Sequence, residues 1–138
     1  MAVPETMKAL KIDRVTPGSE AQLTDIPVPK VRTGWALVKI EAFGLNNSER
    51  LMRLEEICEP WMAPAVVPGI ECAGVVVDGS DTDLQPGERV VACMGGMGRE
   101  FDGSYAEYAL LPRRNVVRVP EDIEWSWAEL GAFPETYL

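Results

Sequence analysis

The sequence predicts a mainly β domain, a sandwich or partly open barrel of short strands with a few short helices. Three observations carry that expectation. The stretch Trp35–Ala42 alternates with period two and places Ala36, Val38, Ile40 and Ala42 on one face. In Val66–Val77 a Pro68-Gly69 turn delivers a single carboxylate, Glu71, and then a run of small and β-branched residues. That run reads as a strand buried on both faces, with Gly74 marking a bulge or a close backbone approach. Finally, Pro and Gly recur between short apolar runs along most of the chain, as they do between the strands of sandwiches and barrels.

In chain order, Met7–Ile12 alternates and suits an edge strand, Pro17-Gly18 is a turn, and Ala21–Ile26 is a second strand stopped by Pro27 and Pro29. After Trp35–Ala42, Ser48 is placed to cap a helix whose stripe holds Leu51, Leu54 and Cys58. Asn46 and Asn47 beside it suit turn and cap chemistry. Gln85–Val91 is a second Pro-Gly turn feeding a second apolar strand. Glu71 has two readings: an ion pair with a basic residue such as Arg89, or a carboxylate lining a cleft. The Gly95-Gly96-Met97-Gly98 cluster lacks the third glycine and the following helix that a phosphate loop needs. It reads as a surface loop, with Met94 and Met97 free for an adaptable apolar role at a cleft. Gly103–Ala109 reads as a strand whose Tyr105 and Tyr108 serve packing, and Val116–Pro120 as one more strand. Ser126-Trp127-Ala128-Glu129 is a capping box, with Trp125 and Leu130 at the staple positions, so a helix starts at Trp127.

Composition narrows the class. A chain of 138 residues is one domain, and 46% hydrophobic with 25% charged residues is ordinary for a soluble globular protein. A net charge of −9 excludes nucleic acid and anionic membrane surfaces as partners, since both need a basic face. No apolar run approaches a membrane span, and Met1–Met7 has no signal-peptide pattern. The three cysteines, Cys58, Cys72 and Cys93, have no short-range pairing and read as reduced thiols of a cytoplasmic protein.

The order and spacing of these motifs resemble the amino-terminal GroES-like domain of the medium-chain dehydrogenase/reductase family. Relatives read Pro-Gly-His-Glu-x-x-Gly-x-Val and then Pro-Gly-Asp-Arg-Val. Gly69, Glu71, Gly74, Val76, Gly87, Arg89 and Val90 match, whereas Ile70 takes the His position and Glu88 the Asp position. Zinc-containing relatives carry Gly-x-Cys-x-Ser/Thr-Asp where this chain has Gly44-Leu45-Asn46-Asn47-Ser48-Glu49. Asn46 instead resembles the Gly-x-Asn of zinc-free quinone oxidoreductases. The resemblance implies a GroES-like partly open barrel whose C-terminal helix leads toward a Rossmann domain absent from residues 1–138. Gly131–Leu138 matches the segment that opens that helix, and the chain stops in mid-pattern, so it reads as a cut or truncated piece that is inactive alone.

The function implied is an NADPH- or NADH-dependent reductase of quinones or α,β-unsaturated carbonyls, the parent a homodimer. Asn46 and Asn47 would meet the cofactor, Asn46 orienting the nicotinamide or the substrate carbonyl. Ser48 would offer a proton or hydrogen bond, and Glu71 would brace the cleft by pairing with a basic residue. The residues themselves argue against zinc. Catalytic zinc wants three Cys, His or carboxylate ligands, and the chain has no His and no closely spaced Cys pair. Two other readings stand beside this one: an alcohol dehydrogenase homologue described as zinc-dependent by descent, and a stand-alone GroES-like module that binds a partner without catalysis.

Overall fold

A computed structural model describes residues 2–12, 22–54 and 65–137. The expected turn at Pro17-Gly18 and the thiol Cys58 lie outside the described residues, as does Ala21.

The chain forms β1 (Thr6–Lys11), β2 (Gln22–Pro27), β3 (Trp35–Ala42), α1 (Asn47–Leu54), β4 (Glu71–Asp78), β5 (Arg89–Cys93), β6 (Tyr108–Pro112), β7 (Val116–Arg118) and α2 (Trp127–Tyr137). Strands β1 and β2 pair antiparallel as a ribbon of their own, and the other five form an antiparallel sheet in the order β6-β3-β4-β5-β7. Its two edge strands are joined by a single 3-10 turn, Arg113–Asn115. A flat five-stranded sheet would set its edges roughly 19 Å apart. The bridge from Pro112 to Val116 spans at most about 14 Å. The sheet therefore curls, with its two edges left unpaired with each other. This is the partly open barrel that the strand pattern predicts.

The curl encloses the main core, in which Ala36, Val38, Cys72, Val76, Val90, Ala92, Leu111 and Val116 are buried. A second cluster, including Met7, Ala9, Leu37, Val67 and Tyr108, lies where the β1–β2 ribbon meets the opposite face. β4 at the centre is the strand that packing makes least negotiable. A Cβ at Gly74 would overlap the carbonyl oxygen of Lys39. Opposite it, the register slips between Ile40 and Ala42, so Glu41 is the extra residue of a bulge. The expected single face of β3 is thereby split: Ile40 packs on the main core, while Ala42 abuts Gly131 of α2.

Three expectations are corrected. The Gly95–Gly98 segment is a surface loop only in part: Met94 and Gly95 are exposed, but Met97 is 1% exposed within the main core. Positive φ at Met94, Gly95, Gly96 and Gly98 coils the segment into a compact turn. Asn115 Nδ2 donates to the Met94 carbonyl and pins it. Residues 103–107 are not a strand. The N–H groups of Gly103, Ser104 and Tyr105 reach the carbonyls of Val67, Gly69 and Pro68. Ala106 makes an isolated bridge to Ala9 of β1, where the Glu107 N–H reaches the Lys8 carbonyl, and the ladder starts only at Tyr108. The helix after the turn begins at Asn47 rather than at Ser48 plus one, so Asn46 occupies the cap position. The capping box at α2 is present as read, with Ser126 N–H and Oγ both donating to Glu129 Oε2. Trp125, however, packs edge-on against Phe133, its ring 4.9 Å away.

Outside the curl, Asp83 accepts from Arg113 and Arg118, and Arg118 also reaches Glu88 at 2.9 Å. The two guanidiniums hold the Asp83 carboxyl well below its ordinary range. A depressed acid contributes stability above its ordinary pKa and loses it as pH falls toward the depressed value. Urea midpoints measured from pH 6 downward should fall with pH in the parent chain, and Asp83→Asn should flatten that limb; identical slopes would count against the assignment.

Candidate functional site

The bulge of β3 delivers the chain into Phe43–Asn46, and α1 starts directly afterwards. At the cap of α1 the backbone N–H of Asn46 donates to Glu49 Oε2 at 3.0 Å, while the Glu49 N–H donates to the Asn46 carbonyl. Glu49 closes this first turn as the third residue of a capping box does. Its other oxygen accepts the Ile70 N–H at 3.0 Å, and Ser48 Oγ sits 3.4 Å from Oε2. Burial pushes the Glu49 carboxyl upward, and the backbone N–H groups pull against it. Sequence reasoning missed Glu49. The available signal was an acidic residue three positions after an Asn that can cap a helix.

With its backbone spent on the cap, Asn46 is free to turn its side chain to β4. Asn46 Nδ2 donates to Glu71 Oε1 at 2.8 Å. Glu71 Oε2 accepts the backbone N–H of Glu135, also at 2.8 Å. Glu71 is itself 1% exposed, and Gly44 is what leaves room for its head, since a Cβ there would overlap Oε1. The expected ion pair of Glu71 with a basic residue is therefore corrected. Register explains why Arg89 cannot serve: Glu71 lies opposite Cys93, and Arg89 is four residues away at the far end of the pair, roughly 13 Å along the strand. Arg89 instead donates to the carbonyls of Ile123 and Trp125 and lies over the Trp127 ring.

Asn46, Ser48 and Glu71 are thus brought together, Asn46 and Ser48 half-buried and Glu71 fully buried. Asn47 points elsewhere: it is exposed, with Arg50 donating to its Oδ1 at 3.4 Å. Tyr105, read as packing, stacks on Phe43 at 4.7 Å and places its phenol near the Asn46 backbone and Glu49. Burial raises that phenol to about 12, so it keeps its proton throughout the physiological range.

The two described cysteines are free. Burial, followed by the neighbouring Glu71, raises the Cys72 thiol to about 12, so its reactive thiolate is scarce at ordinary pH. Iodoacetamide at pH 8 followed by peptide mapping should leave Cys72 unmodified in the folded chain. Ready alkylation of Cys72 without denaturant would contradict its burial.

Among the described residues no three Cys, His, Asp or Glu side chains converge as a metal site, and no helix is long and apolar enough to cross a membrane.

Residues 32–121 match the alcohol dehydrogenase GroES-like domain. Over 135 residues the chain is 31% identical to a zinc-type alcohol dehydrogenase-like protein of Schizosaccharomyces pombe, covering 96% of this chain and 40% of that one. It is 32% identical over 104 residues to a quinone oxidoreductase of Pongo abelii, covering 74% of this chain and 30% of that one. The human synaptic vesicle membrane protein VAT-1 homolog-like protein shares the fold with a TM-score of 0.76 at 27% identity, over 94% of this chain and 40% of that one. The chain spans less than half the length of these relatives.

Proposed function

This chain belongs to the alcohol dehydrogenase GroES-like domain family of medium-chain dehydrogenases and reductases, and on that premise we propose that it is the substrate-side domain of an NAD(P)H-dependent reductase of quinones or α,β-unsaturated carbonyls. The observation that carries the reading is the state of Asn46. At the position where zinc-dependent relatives carry a thiolate, this chain holds an amide whose Nδ2 is fixed by a buried carboxylate. Its Oδ1 has no partner among the described residues. Just before Asn46 in sequence, exposed Leu45 and the partly exposed Phe43, its ring against Tyr105, offer apolar surface for a flat ligand.

The residues present do not suit zinc. The chain has no His, Ile70 offers no donor atom, and both oxygens of Glu71 already accept hydrogen bonds. No step is routed through a metal, and about one equivalent of tightly held zinc in the purified protein would overturn this part of the reading. A nicotinamide fits better, because Asn46 Oδ1 can accept from a carboxamide N–H. When bound, the reduced nicotinamide supplies a hydride to the conjugated acceptor. Asn46 then orients the ring or the substrate, and the half-buried Ser48 hydroxyl donates a hydrogen bond or proton to the oxygen on which charge develops. The dinucleotide would be held by a nucleotide-binding domain following α2, covering the apolar groove of Trp125, Ala132 and Phe133. We place the parent in the cytoplasm as a homodimer, on the strength of the acidic composition, the unpaired thiols and the family's habit.

Asn46→Ala in the enzyme that includes the nucleotide-binding domain should lower turnover with a quinone or enone on the order of 10- to 100-fold, since misplacement of a reacting group has costs of that size. An unchanged rate would remove Asn46 from the mechanism.

A further inference from the structure

We propose that Glu71 is a positioning residue that ties the orientation of the Asn46 amide to the course of α2. The inference rests on the functional reading only for its consequence, since the link itself is a property of this chain. Both Glu71 oxygens are spent on it, one on Asn46 Nδ2 and the other on the Glu135 N–H. The second bond is unusual for a helix residue, and its neighbour gives the reason. Pro134 lies inside α2 and is buried there. A proline in a helix interior removes one rung of the ladder and its ring crowds the carbonyl four residues back, which disturbs the ladder at that turn. The next N–H in sequence, that of Glu135, is the one turned to the carboxylate.

Three elements therefore meet at one buried head group: the start of β4, the loop before α1 and the last turns of α2. Their approach leaves little slack. Gly44 is pressed against Glu71 Oε1, and Gly131 of α2 is pressed against Ala42. A shift of α2 along or away from the sheet must move Glu71 Oε2, and with it the acceptor that fixes Asn46. The carboxylate has acceptors only, so Asn46 turns its NH2 inward and keeps its carbonyl oxygen for a ligand. In the complete enzyme, the helix that enters the next domain would set the amide that meets the ligand.

The test is a double-mutant cycle on the 15N-labelled chain, read at the Asn46 side-chain NH2 by resonance position and hydrogen exchange. Pro134→Ala restores the ladder around Glu135, and it should displace the Asn46 NH2 resonances. In the Glu71→Ala background the same substitution should leave them where they are. Glu71→Gln keeps the volume and one acceptor but offers Asn46 a donor. It should turn the amide over and speed exchange of its protons roughly tenfold. This variant serves if Glu71→Ala does not fold. Asn46 signals indifferent to Pro134→Ala, or equally sensitive with and without Glu71, would overturn the proposal. Because no turnover is measured, a failed reductase assay would count against the hydride-transfer reading and leave this result standing.

Discussion

Gly74→Ala should lower the thermal midpoint by about 10 °C or more, corresponding to about 3 kcal/mol or more. The clash is with backbone, the Lys39 carbonyl oxygen, which a side-chain rotation cannot relieve. It also falls at the centre of the sheet, where Gly74 pairs with Ile40 on one side and Val90 on the other. Relief would have to separate β3 from β4, opening the main core along Val38 and Val76. Gly87→Ala is the matched control. Its φ is +93°, so a side chain is strained there, yet nothing lies within 4 Å of the added atom. That variant should lose only about 1 kcal/mol. Circular-dichroism melts of the two side by side decide the point, and equal losses would mean that conformation rather than contact dominates at Gly74.

Glu49→Ala should cost about 2–4 kcal/mol in urea unfolding, because it strands two N–H groups that the carboxylate now accepts. One is the Ile70 N–H beside the entry to β4 and the other is the Asn46 N–H at the cap of α1. The loss should come with loosening of the whole 43–49 segment, since among the described residues no other side chain accepts from the Asn46 N–H. The pH dependence has the opposite sign to that of Asp83. Burial raises the Glu49 carboxyl above its ordinary value, so the folded state holds this proton more tightly than the unfolded one. Its contribution is therefore fully present below the ordinary glutamate pKa and falls as pH rises toward the raised value. Glu49→Gln should remove that decline. Parallel stability curves for parent and variant between pH 4 and 7 would show that Glu49 titrates at its ordinary position.

Much of the architecture was legible because local chemistry and tertiary demand agree. The bounds of β3 follow its period-two run, and the start of α2 follows its capping box. Gly74 announced a close approach within a run of β-branched residues, and the approach is there. The failures have a common cause. Residues 103–107 look like a strand because their side chains suit one, but the N–H groups of residues 103–105 are claimed by the loop at Val67–Gly69 and that of Glu107 by Lys8 of β1. Met97 looks exposed among glycines, yet four positive-φ residues coil the backbone tightly enough to bury it. At the site, the residue types were legible but their pairing was not. Arg89 follows Glu71 by 18 positions on the neighbouring strand, and only the strand register shows that it faces the segment before α2 instead. The link from Glu71 to Glu135 spans 64 positions and involves a backbone donor, so no pattern of side chains could announce it.

The strand order has a consequence for how the chain reaches this state. β3 is flanked by β4 and β6, and its rung from Trp35 to Pro112 joins residues 77 positions apart. The β3–β4 rungs likewise join residues 31 to 41 positions apart, so at β3 ordering entropy must be lost across long loops before the sheet contacts reward it. Refolding should take milliseconds to seconds rather than microseconds. During synthesis β3 and β4 would wait with an unpaired edge until β6 emerges, an interval in which the half-made sheet is open to mispairing with its neighbours.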